Sequence, residues 1–185
     1  MNDFSVFERV LRLGASPHTD LDSISTISRR NFSERETFFL RAQTPCIEYA
    51  SLMIENALLL RTNRTARIYA GFEKLSCMQP IIDRYLRIAD VSGSIYVFGE
   101  ADWQPPRHPN LRVVNLNPES RMAREWFLIA DSSNFHAALV ARDEDGFEHC
   151  EPDQRTFIAF KSSDAWIVGQ LAMAVEGLID LSFAA

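Results

Sequence analysis

Arg124, Glu125, Trp126 and Phe127 form the densest run of charged and aromatic side chains in the sequence, with Asp131 just beyond. A guanidinium offers a planar fork to a carboxylate, a phosphate or a buried partner, and an indole offers a flat apolar wall. In an extended segment Arg124, Trp126 and Leu128 face one side, while Glu125, Phe127 and Ile129 face the other. Each side of a sheet then receives a charge beside a large ring, which is costly unless the charge is paired. Arg124 and Glu125 are therefore expected to pair with different helices or loops, not with each other. The first candidates are Arg84, beside Tyr85 on an earlier helix, and Asp102, just past a strand that ends at Phe98-Gly99. Two readings fit Arg84, Tyr85, Asp102, Arg124, Glu125 and Trp126. They are an internal ion-pair network that fixes strand order, or the wall of a ligand or signalling pocket. Arginine is abundant throughout, at 17 residues against only Lys74 and Lys161. That excess is explained equally by a GC-rich genome and surface ion pairs, so it singles out no site.

Other chemistry is poorly supplied. His18, His108, His136 and His149 form neither HExxH nor a close pair. Cys46, Cys77 and Cys150 are odd in number and far apart, which predicts no disulfide scaffold and no zinc site, and fits a reducing cytoplasm. Cys77 precedes a helix but has no histidine nearby in sequence to activate it. The segment 143–153 holds six acidic residues and no basic one, without the order of a calcium loop, and is expected to be a solvated loop. Neither GxGxxG nor GxxxxGK[ST] occurs. No catalytic residue, no metal site and no particular cofactor is therefore predicted. A formal charge of −6 argues against a broad phosphate-binding surface, and no direct nucleic-acid binding is expected. The start MNDFSVFERVLRLG lacks a secretory pattern, and polar residues break every apolar run before 18 residues, so no membrane association is expected.

The chain is 185 residues long, 46% hydrophobic and 24% charged, enough for one domain with a sizeable core. Phe4, Phe7, Val10 and Leu11 predict a short amphipathic helix over 3–13, followed by a loop or flexible arm over 15–31. Thr44 and Pro45 open a helix over 44–60 that is apolar around most of its circumference, with a narrow wet face at Glu48, Ser51 and Glu55. A strand at 66–72, a helix at 79–89 and a strand at 94–99 occupy about 33 residues, the spacing of a βαβ crossover. Gly99 with Glu100, Asp102 and Trp103 marks a strand end of the kind where ligands sit in α/β sheets. Strands follow at 111–116, 124–131, 136–142 and 155–160, then a helix at 164–181. The expected fold is a single α/β domain on a mixed sheet of five or six strands with packed helices. Residues 1–40 are expected to form an N-terminal helix and arm, and 41–185 the domain proper. The broad apolar faces at 44–60 and 164–181 predict a homodimer, unless the arm folds back over its own helix.

IYAGFEKLS at 68–76, DRYLRIA at 83–89, IYVFGEAD at 95–102 and REWFLIAD at 124–131 resemble the DICT sensory domain of diguanylate cyclases and two-component systems. The resemblance covers about residues 40–180. It rests on Tyr69, Gly71 and Phe72, on Arg84 and Tyr85, on Phe98, Gly99 and Asp102, and on Arg124 through Phe127. It implies a non-catalytic cytoplasmic sensory or protein-interaction module of bacterial signalling. The implied form is a stand-alone copy of cyanobacterial type that works through a separate partner protein. The other reading of the residues is a small enzyme or carrier that binds an anionic metabolite through an Arg-containing pocket. An enclosed cavity at Arg124 and Glu125 favours a ligand; their capture by each other and by backbone favours structure.

Overall fold

Strands that are apolar on both faces need a helical layer on each side. The burial of Ile68 through Phe72 and of Trp126's neighbours Phe127 through Ala130 meets that condition. The computed structural model describes residues 4–13, 36–61, 64–145 and 155–183. The arm expected at 15–31 and most of the acidic segment at 143–153 lie outside the described residues.

Helix α1 (Val6–Arg12) is followed by strand β1 (Thr37–Gln43), helix α2 (Thr44–Arg61) and strand β2 (Arg67–Lys74). A 3₁₀ segment (Leu75–Ile81) leads into α3 (Ile82–Val91), then β3 (Ser94–Glu100) and β4 (Leu111–Asn115). A 3₁₀ turn (Arg121–Arg124) opens β5 (Glu125–Asp131), and β6 (His136–Asp143), β7 (Thr156–Ser162) and α4 (Ala165–Phe183) complete the chain. The strands form one sheet in the order β1-β7-β6-β5-β2-β3-β4. β2, β3 and β4 run parallel, and every pairing from β2 through β5, β6 and β7 to β1 is antiparallel.

The sheet thus has seven strands, which corrects the expected five or six. The added strand is β1, where Phe39, Leu40 and Ala42 are buried and Arg41 and Gln43 are exposed. It is an edge strand of seven residues that runs straight into α2, so no turn residue marks its end. The helix expected at 79–89 also begins differently. Pro80 lies in the 3₁₀ segment, and the α-helix starts two residues later.

Two apolar cores separate across the sheet. Ile47, Ile54 and Leu58 of α2 and Tyr85 and Ile88 of α3 meet Ile68, Ala70 and Phe72 on one face. Val6, Phe7 and Val10 of α1 and Val168, Leu171 and Val175 of α4 meet Tyr69, Phe98 and Phe127 on the other. Gly71 lies under the Phe127 ring: a Cβ there would stand 2.1 Å from Phe127 Cε1. The close approach of ring to backbone therefore needs glycine. Asp164 caps α4, its Oδ1 accepting from the Ile167 N–H at 2.8 Å. α1 lies against α4 of its own chain. Trp166 and Met173 of α4 are left 61% and 63% exposed, and Leu60 of α2 is 85% exposed. Among the described residues no helix is long and apolar enough to cross a membrane.

Candidate functional site

Glu48, Ser51 and Glu55 of α2 stand three and four residues apart, and so on one face. That face does not simply meet solvent: Ser51 is 4% and Glu55 2% exposed. It turns toward α3 across a cleft of 630 Å³ over the sheet. Phe72 and Glu73 close the cleft at the C-terminal end of β2, and Ala123 through Trp126 close it where β5 begins. Arg155 and Phe157 form its far side at the start of β7. The cavity lies where the parallel part of the sheet gives way to the antiparallel part, beyond the carboxyl end of a parallel strand.

The geometry sorts the six candidates. Arg84 donates through Nη1 to Glu55 Oε2 at 2.5 Å, so its partner is on α2 and not on β5. Tyr85 is buried beside it, edge-on to Phe72 with ring centroids 5.7 Å apart, and its hydroxyl donates to the Glu55 carboxylate. Burial, then the nearby Glu55 charge, pushes the Tyr85 phenol well above its ordinary value, so it stays a donor. Arg124 and Trp126 both line the cleft. Trp126 is half-buried and meets Phe157 edge to face, with centroids 6.3 Å apart and an angle of 88°. Arg124 is exposed and makes no ion pair among the described residues.

Glu125 turns the other way, as strand alternation requires. Its Oε2 accepts from the Val6 N–H at 2.8 Å, and its Oε1 accepts from the Ser5 hydroxyl. The Phe7 N–H approaches both oxygens at 3.4 Å. Glu125 therefore closes the N-terminus of α1 from a strand on the far side of the sequence. Burial is the largest influence on it and outweighs these donors and the nearby Arg142 charge, raising its pKa from 4.5 to about 7. Asp102 is separate again. It accepts from the Ser76 N–H at 2.9 Å and from the Ser76 hydroxyl, which holds its pKa down, and it lines a second cavity with Trp103.

The structure brings Arg84, Arg124 and Trp126 to one cleft with Tyr85 beneath, and keeps Asp102 and the Glu125 carboxylate out of it. Ser51, Glu55 and Arg155 are the residues that sequence reasoning did not select. Ser51 Oγ is buried with no hydrogen-bond partner. Arg155 is held by Asp143 Oδ2 at 2.5 Å and Glu73 Oε2 at 3.0 Å, and stacks over Phe157. A usable signal for the first two was the 48-51-55 spacing on a helix otherwise apolar nearly all round. No such signal exists for Arg155, which follows residues of a polar loop. Among the described residues no group of three or more His, Cys, Asp or Glu is placed to hold a metal ion.

Residues 49–144 match the DICT family, the sensory domain in diguanylate cyclases and two-component systems, over more than half of the chain. The chain belongs to the DICT family. DICT domains are non-catalytic sensory modules, so the absence of an enzymatic role rests on family membership. The matched span runs from Tyr49 through the whole of β6 and contains Ser51, Glu55, Arg84, Arg124 and Trp126 of the cleft; α1, β1, β7 and α4 lie outside it. No curated protein matches the chain. One solved structure is TrmBL2, an archaeal chromatin protein with a novel mode of DNA binding. It is 12% identical, with a TM-score of 0.48, and the match covers 94% of this chain and 59% of that one. The expectation of no direct nucleic-acid binding rested on net charge alone and does not stand as a finding. Net charge describes the whole surface and says nothing of a local patch. The likeness is too distant to give this chain a DNA-binding role.

Proposed function

We propose that this DICT domain senses a small molecule in the cleft between α2 and α3 and reports occupancy to a separate signalling protein in the cytoplasm. The observation that supports it is the 630 Å³ cleft itself, walled by Trp126, Phe72 and Phe157 and set at the carboxyl end of β2. Sites of this kind are concave, mostly apolar and supplied with a few polar groups. Among the polar groups here, the Arg124 guanidinium makes no ion pair and the Ser51 hydroxyl no hydrogen bond with the described residues.

β5 connects the two faces of the sheet. Arg124 and Trp126 look into the cleft, and Glu125 between them holds α1 on the opposite side. A ligand that moves the start of β5 thereby changes how α1 sits on α4, and that surface is where a partner reads the state. Self-association belongs to the same reading: exposed Trp166 and Met173 lie on the outer face of α4 and suit a two-fold contact.

The test is non-denaturing mass spectrometry of the protein purified from its own host, beside Leu52→Trp, which fills the cleft. The expected result is a small-molecule adduct on the unmodified chain that is missing from the variant. An adduct of equal occupancy on both proteins, or none on either, overturns the reading.

A further inference from the structure

The charges that line the cleft cancel, with one exception on its cationic side. Arg84 is matched by Glu55, and Arg155 by Asp143 and Glu73. Arg124 remains, an exposed guanidinium beside Trp126 with no ion pair among the described residues. The other uncommitted charge of the lining is an acid, Glu48.

We propose that the ligand class of this cleft is an aromatic monocarboxylate, with its flat ring system against Trp126 and Phe157 and its single carboxylate on the Arg124 fork. The inference rests on the cleft being the sensing site. Three features lead to it. Phe72, Trp126 and Phe157 all line the cleft, and flat rings stack on such side chains or meet them edge-on. One free guanidinium satisfies one carboxylate in a two-pronged pair. A second or third anionic group would find Arg84 and Arg155 already engaged by their own carboxylates and would face Glu48 with no cation left to meet it. That arrangement disfavours nucleotides, including the cyclic dinucleotides made by the enzymes that carry DICT domains. The volume of 630 Å³ holds a two-ring compound with space to spare. Ser51, buried in the wall with an unpartnered hydroxyl, offers one further polar contact to a ring substituent.

The experiment follows the indole N–H signal of Trp126 in the full chain, assigned with Trp126→Phe, during titration with three probes. These are indole-3-acetate, its uncharged amide indole-3-acetamide, and cyclic diguanylate. The same titrations are run on Arg124→Met, an exposed position where the fold is not at stake. The expected result is that the acid binds at least about tenfold more tightly than the amide. In Arg124→Met that preference disappears while the amide binds as before, and cyclic diguanylate leaves the signal unmoved in both proteins. The ligand class is overturned if acid and amide bind alike, if the preference survives Arg124→Met, or if cyclic diguanylate binds the more tightly. Each of these outcomes leaves Trp126 reporting an occupied cleft. The ligand class is also overturned if none of the three probes moves the signal. A small-molecule extract of the host then decides the cleft itself: a shift of the same signal retains it as a sensing site, and no shift removes it.

Discussion

Glu125→Gln removes the ionisation of a carboxylate that holds α1 in place while keeping one acceptor oxygen for the Val6 N–H. In the unmodified protein burial raises the Glu125 pKa from 4.5 to about 7. Between those values the folded chain keeps a proton that the unfolded chain has released, so folding is favoured by acid. Stability is greatest below the unfolded value, declines as pH rises through the window, and levels off once the folded group has ionised near 7. The full span is worth about 3 kcal/mol. The charged groups near the carboxylate are Arg142, its register partner on β6, and Glu8, Arg9 and Arg12 of α1, with Glu8 engaged by Arg121. All are unchanged in the variant, as are His108 and His136, so the difference between the two pH profiles belongs to Glu125. Urea unfolding followed by circular dichroism from about pH 5 to about pH 8 supplies both profiles. The unmodified chain should lose stability across that range, and Glu125→Gln should lose distinctly less. A profile for the unmodified chain that is flat or rising, and parallel to the variant, would show that the donors of α1 outweigh burial.

Three further substitutions test the packing. Gly71→Ala places a methyl against the Phe127 ring and should cost about 2–3 kcal/mol in urea unfolding; a loss under about 0.5 kcal/mol would mean that the ring moves aside freely. Arg84→Ala leaves the 2% exposed Glu55 with only the Tyr85 hydroxyl and should cost about 3 kcal/mol, with Arg84→Lys recovering part of it; a neutral Arg84→Ala would show that water reaches Glu55. Trp126→Ala should cost about 2 kcal/mol, below the 3–5 kcal/mol of a fully buried ring, because one side of the indole faces the cleft; a loss at the upper end would place the ring in the core.

Local periodicity carries much of this architecture and none of its long-range pairing. The alternation of Arg124, Glu125 and Trp126 was legible because it follows from strand geometry alone. The partner of Glu125 was not, since Ser5 and Val6 lie more than a hundred residues away and meet it only once α1 has packed on α4 and β6. The Arg84 partner was hidden for a related reason. Glu55 stands on a helix whose few polar residues look like a solvent face, and only the tertiary position of α3 turns that face inward. β1 was missed because Thr37–Gln43 passes into α2 without a turn, although the alternation of Leu40, Arg41, Ala42 and Gln43 was present in the sequence. The run of charge and aromatic rings at 124–127 was legible with Arg84 and Asp102 beside it, and the fold places Arg84, Arg124 and Trp126 around one cavity while sending Asp102 to cap the neighbouring 3₁₀ segment.

Three tryptophans report on three places: Trp126 on the cleft, Trp103 on the second cavity and Trp166 on the outer face of α4. Their indole N–H signals in one spectrum, recorded before and after adding a small-molecule extract of the host, test the account most directly. A ligand in the cleft shifts the Trp126 signal while Trp103 and Trp166 hold their positions. A shift confined to Trp103 or Trp166, or no shift at all, would contradict a sensing site between α2 and α3.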